Sequence, residues 1–245
     1  MNQKPRPDHS STAFPRREHH RDVQGGAIRA AIFGVSDGLV TNASLILGVA
    51  GAEADAGIVR LAGLAGLVAG AISMAAGEYV SMSAQTELLE RELDVERRSI
   101  AADPDHERQE LTDIYKRRGL TDDAAERLST AMMKDDDIAL EVHAREELGV
   151  DPTALGSPYA AAASSLVAFS IGGIIPLIPW FFAEGTLAVF ISLSLAAITA
   201  LGIGAIIGLT TGRSVVRSGL RQLAVAVFAG AATYAIGALL GVQVS

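Results

Sequence analysis

Two patterns alternate along the chain. In long runs nearly every position is apolar or small; between them, apolar positions recur only every third or fourth residue among charges. A bilayer core takes about 20 apolar residues of helix. Five runs reach that length: Ala27 to Gly51, Gly57 to Ser83, Tyr159 to Ala183, Gly185 to Thr211 and Leu220 to Val242. Short loops join the first to the second and the third to the fourth. The second run has no stop near Ser83, since Leu88, Leu89, Glu92, Val95 and Glu96 continue a helical pattern. One long helix is expected from about Gly57 to Ile100. Further helices are expected from Pro104, from Thr121 in TDDAAERL, where Thr caps and the acids suit a helix N-terminus, and from about Asp136 to Leu148, ended by Gly149.

The fold class that follows is all-α: a polytopic membrane protein with five transmembrane helices and a helical insert between the second and third. Residues 1–26 read as a polar, Arg-rich, disordered cytoplasmic tail without a leader-peptide pattern. Residues 27–84 hold spans one and two, 85–150 the insert, and 157–243 spans three to five.

Charge sharpens this picture. From Gln85 to Val150 there are nineteen acidic and ten basic residues, a net −9 against −8 for the whole chain. The insert therefore carries essentially all of the acidic excess. It suits cations and not nucleic acid. Arg16, Arg17, Arg21 and Arg29 precede the first span, and Arg213, Arg217 and Arg221 lie between the fourth and fifth. The positive-inside rule then puts the N-terminus and the insert in the cytoplasm. Cysteine is absent, so disulfides and thiolate metal sites are excluded.

Asp37 and Glu78 are the only acids well inside the expected spans. A carboxylate there is costly and by default marks an ion or proton path. No span-interior Lys or Arg is expected to pair with either; Arg29, near the end of the first span, would at most snorkel. On a helix, Asp37, Thr41, Ser44 and Gly48 share one stripe, and Met74, Glu78 and Met82 another. Oxygen with thioether sulfur suits Fe²⁺ or Mn²⁺ better than Na⁺ or Ca²⁺, although the methionines also read simply as packing. A buried carboxylate holds a proton more readily than a solvated one, so proton and metal can exchange there. Gly and Ala at close spacing let the helices approach one another. Pro176 and Pro179 interrupt the third span; a kink is the simpler reading, a broken helix lining a pathway the alternative.

In the insert, Glu92 and Glu96, Glu107 and Glu110, and His143 and Glu147 have the spacing that points two side chains one way. Each pair alone reads as a solvated face. Imidazole with carboxylate in the third is a common metal pair. An intramembrane enzyme is disfavoured: His9, His19, His20, His106 and His143 all lie outside the spans, and neither H-E-x-x-H nor, in the insert, E-x-x-H occurs.

SDGLVTNASLILGVAGA (36–52) and AGLVAGAISMAAGEYVSMSAQ (65–85) resemble the first two spans of the vacuolar iron transporter family, which includes plant and yeast iron/manganese transporters. EELGVDP (146–152) and AFSIGGIIPLIP (168–179) match as well, and the resemblance covers about residues 24–243. It implies a dimer with five spans per subunit that exports Fe²⁺ or similar divalent metals from the cytosol against protons. It implies a path at Asp37 and Met74, with Glu78 in the same motif. It also implies a cytoplasmic metal-binding domain with glutamates on three helices, matched here by Glu107, Glu110 and Glu147, with Glu92 and Glu96 taken for the first helix. The family's methionine pair is replaced by His143 and Ala144, a departure that bears on metal preference.

The function expected is thus an Fe²⁺/Mn²⁺ transporter, with Zn²⁺, Co²⁺ or Ni²⁺ as other cargo, no prosthetic group and no enzymatic activity. Its membrane would be the plasma membrane of a bacterium. The rival is a membrane-anchored sensor or buffer, in which the insert binds metal and the spans only anchor it.

Overall fold

The computed structural model describes residues 26–52, 54–152 and 156–241. The expected tail therefore lies outside the described residues except for Gly26, which opens the first helix. Glu53, His9, His19 and His20 lie outside them too. Among the described residues there are eight α-helices and no strand: α1 Gly26–Gly51, α2 Ala56–Ala102, α3 Pro104–Arg117, α4 Asp122–Met132, α5 Asp136–Glu146, α6 Pro158–Ile174, α7 Gly185–Thr210 and α8 Val215–Gly241.

Four of them, α1, α2, α7 and α8, are long and apolar enough to cross a membrane. Their outer faces carry side chains that water would not tolerate in such number, among them Phe228 at 77 % and Leu209 at 71 % exposure. The chain is an integral membrane protein. α1 is the hub of the apolar region, packed against α2, α6, α7 and α8.

Small residues decide how closely α1 and α6 approach. A methyl group at Gly38 would run into the backbone carbonyl of Phe169, and one at Gly172 into that of Val35. Neither obstacle can rotate away. Gly38→Ala is expected to destabilise the bundle by about 1–3 kcal/mol, read as a lower melting temperature in detergent. Melting no lower than the wild type would show that the helices can part at no cost.

The third expected span is not a kinked helix. α6 has 17 residues and stops at Ile174; the chain turns and then forms a short 3-10 turn, Ile178–Phe181. Pro176 and Pro179 bring no amide hydrogens, so helical bonding cannot run through them. The backbone oxygens left over find side chains. Ser192 of α7 donates to the Pro176 carbonyl at 2.7 Å, and Arg60 of α2 donates to that of Trp180 at 3.3 Å. Protein, rather than an open cavity, answers the break at those two carbonyls.

α2 is the uninterrupted helix its sequence suggests, 47 residues or about 70 Å long. Asp55 caps its start, accepting from the amides of Gly57 and Ile58. Asp103 ends it and caps α3, where Pro104 occupies the first turn. Thr121 sits at the cap position of α4, but its hydroxyl makes no capping bond. Asp135 caps α5, and Gly149, at φ +68°, turns the chain soon after its end. α3, α4 and α5 pack around Leu111, Tyr115 and Ala125, with Val142 against them. The hydroxyls of Thr112 and Ser129 meet within this core at 2.5 Å. α5 also leans on the charged end of α2, which brings three helices together at one point.

Candidate functional site

The apolar region holds the first group of candidates. α1 and α2 form an antiparallel hairpin. Arg29 stands opposite Glu78, Leu45 opposite Gly66 and Ile46 opposite Gly63. This register sets Asp37 level with α2 between Gly70 and Met74. Thr41 donates to Asp37 at 3.1 Å, as their i, i+4 spacing requires. Ser44, on the same stripe, is buried and its hydroxyl has no hydrogen-bond partner among the described residues. Met74 packs with Leu67, Ala71 and Phe169. Met82 is enclosed by Ala30 and Ala161, so its thioether fills space.

Glu78 contradicts the expectation that no cation would reach it. The Arg29 guanidinium donates to one of its oxygens at 2.9 Å. Glu78 is buried, whereas the Arg29 side chain is 63 % exposed. The signal that would have found this pair is the hairpin itself. Positions 29 and 78 lie equally far from the loop at residues 52–55, so the fold must bring them level. Asn42 was also missed: buried on α1, it donates to the Gly173 carbonyl at 2.5 Å, and its own oxygen has no partner among the described residues.

The second group gathers at the far end of α2. Glu96 of α2, Glu107 of α3 and His143 of α5 each present a ligand atom, all within 4.8 Å of one another. His143 is completely buried. Its Nδ1 lies 2.9 Å from the Ala139 carbonyl oxygen, and its Nε2 lies 3.3 Å from the Glu107 carbonyl oxygen and 3.9 Å from the Glu107 carboxylate. One oxygen of Glu96 is buried and finds no hydrogen-bond partner among the described residues, an unusual state for a group with so much to gain from one.

Glu110 and Glu147 extend the cluster. Burial pushes the Glu147 carboxyl up from its ordinary range. The Glu110 charge pushes it further, and His143 pulls it down. The same order holds for Glu96: burial raises it first, His143 lowers it, and Glu147, Glu107 and Glu110 raise it again. Four carboxylates thus crowd one imidazole. Beside them opens a cleft of about 470 Å³, lined by Glu110, Glu147, Asp113, Ile114, Glu146, Arg117 and Arg118. Glu110 and Glu147 line this cleft, and their charges also act on Glu96.

Glu92 is not part of the three-helix group; it stands one turn away from Glu96, half-buried. Carboxylates with a single imidazole and no thiolate suit a divalent ion of intermediate softness, from Mn²⁺ and Fe²⁺ to Zn²⁺.

The model of the VIT family matches residues 28–238. A vacuolar iron transporter of Acanthamoeba castellanii is 36 % identical over 163 residues, 66 % of this chain and 59 % of that one. Vacuolar iron transporter 1 of Oryza sativa subsp. japonica is 30 % identical over 227 residues, 92 % of this chain and 89 % of its own. Vacuolar iron transporter 1 of Arabidopsis thaliana is 30 % identical over 223 residues, 89 % of each chain.

Proposed function

The chain belongs to the VIT family, and from that premise we propose that it moves Fe²⁺ or Mn²⁺ out of the cytosol in exchange for protons. Zn²⁺, Co²⁺ and Ni²⁺ are further candidate cargo, since His143 gives the cluster a nitrogen donor. The chain crosses the membrane five times, α6 and the 3-10 turn together making the third crossing. The N-terminus and α3–α5 face the cytoplasm, following the arginines that flank the first and fifth spans. The protein works as a homodimer, in the plasma membrane of a bacterial cell.

The observation that supports this reading most directly is the path of α2. One rigid helix bears Glu96 in the cluster and Met74 and Glu78 in the apolar region. Metal gathers on Glu96, Glu107, Glu110, His143 and Glu147, drawn by the negative field of the insert. It then passes along Glu78, Met74 and Asp37, with Thr41 and Ser44 offering further oxygens. Protons that return to these carboxylates release it on the far side.

A second reading has its own support. The three-ligand group is complete within α2, α3 and α5, which also suits a membrane-anchored sensor or buffer. Flux separates the two. In proteoliposomes holding the purified protein, Fe²⁺ or Mn²⁺ uptake is expected and should rise several-fold when an opposing proton gradient is imposed. Metal bound by the protein without uptake, for every divalent ion tried, would leave only the sensor or buffer.

A further inference from the structure

Glu78 can be neutralised in three ways that exclude one another: by a proton, by a divalent metal, or by the guanidinium that holds it here. Three features of the pair bear on which role Arg29 plays. The contact is single, one guanidinium nitrogen on one carboxylate oxygen at 2.9 Å, and not the two-pronged fork that makes arginine–carboxylate pairs rigid. The anchor is one-sided: Glu78 is 8 % exposed, while among the described residues the Arg29 side chain is mostly exposed. The position is on the path, because Glu78 shares its helical stripe with Met74, and Asp37 lies at the next level inward.

We infer that Arg29 is a tethered counter-cation. It occupies Glu78 between passages of metal, and a divalent ion gains Glu78 only by displacing it. This rests on the transport reading given above. A structural tie would hold both partners in place. Here the arginine can swing out on its own stem, exchanging Glu78 for water or lipid phosphate at the end of α1. The cost of displacement raises the metal concentration needed for transport. It also keeps an unpaired carboxylate from standing in the apolar region when no metal is present. Arg29 thereby sets the working range of the path, while Glu78 itself touches the ion.

The test uses the full chain in proteoliposomes with Mn²⁺. Arg29→Gln should lower KM about tenfold, the size of one charge-assisted hydrogen bond. Arg29→Lys should lower it less, about threefold, because a compact ammonium still competes. In a Glu78→Gln background, Arg29→Gln should leave KM where it was. Millimolar free guanidinium should raise the KM of Arg29→Gln back toward that of the wild type and leave the wild type unmoved. An unchanged KM in both Arg29 variants overturns the inference, as does the same shift with Glu78 already replaced. Should Arg29→Gln fail to fold, Arg29→Lys decides. If the wild type moves no Mn²⁺, the transport reading fails separately. Equilibrium Mn²⁺ binding to the full chain carrying Glu96→Gln and Glu107→Gln then decides whether Arg29 and the metal compete at Glu78: removing Arg29 must tighten that binding about tenfold, and no tightening sinks the idea.

Discussion

Asp37→Asn is expected to abolish metal flux, by a hundredfold or more, while the cluster at Glu96, Glu107 and His143 binds metal as before. The substitution keeps the shape of the side chain and removes its charge. The only hydrogen-bond partner described for Asp37 is the Thr41 hydroxyl, and an amide oxygen can accept from it equally well. The fold therefore loses little. The path loses a unit charge worth on the order of 4 kcal/mol to a cation at 4 Å in a protein-like dielectric, more than enough for a hundredfold effect on rate. Two measurements decide it: Mn²⁺ uptake into proteoliposomes, and Mn²⁺ binding to the same preparation in detergent. Uptake within a few-fold of the wild type would remove Asp37 from the path. Loss of both uptake and binding would show that the variant is simply misfolded.

The second large effect concerns the cluster. Glu96 and Glu147 both titrate above the ordinary value of 4.5, chiefly because they are buried. A carboxyl raised in the native state keeps its proton where the unfolded chain has already lost its own. Its contribution to stability is thus fully present below pH 4.5 and is lost as the pH rises through the native value. Metal inverts the trend, since it binds the ionised form and must expel the proton. In the metal-free protein, Glu96→Gln should flatten the fall in melting temperature with rising pH. Mn²⁺ should stabilise the wild type increasingly over the same interval, with affinity changing about tenfold per pH unit for each proton displaced. Glu96→Gln combined with Glu107→Gln should lower Mn²⁺ affinity at neutral pH by about a hundredfold or more, each buried charge–ligand contact being worth about 1.5 kcal/mol or more. A metal-free protein that grows more stable across this interval, equally with and without Glu96, would contradict the assignment of these groups.

Much of the fold can be read along the chain because local forces dictate it. α2 runs on past Ser83 since nothing in its sequence stops a helix before Asp103. The starts of α3 and α5 lie in Asp103–Pro104 and Asp135. His143 and Glu147 were legible as a pair from their spacing. What stayed hidden depends on partners far away in sequence. Two prolines announce trouble in the third span, but the group that answers the freed Pro176 carbonyl, Ser192, lies on another helix. Spacing within α2 offers Glu92 and Glu96 equally; only the seating of α3 and α5 selects Glu96. Arg29 reads as a snorkelling residue near the end of the first span, because its carboxylate partner lies 49 positions further on. The acidic candidates were visible as residue types. The cation that answers one of them emerges only when positions are counted across the hairpin and not along one helix.

The unbroken course of α2 has a consequence for how this chain can vary. Glu78 and Glu96 are 18 residues apart, about five full turns, so both lie on one line along the helix, roughly 27 Å from each other. Their alignment is a matter of counting. One residue added between Tyr79 and Val95 would swing everything beyond it through about 100° and carry Glu96 to another bearing from Glu78. Two would nearly reverse it. Only steps close to a whole number of turns, such as seven or eleven residues, keep the two carboxylates in line. Buried positions on that stretch, such as Met82, answer to their neighbours; the length of the stretch answers to the helical turn.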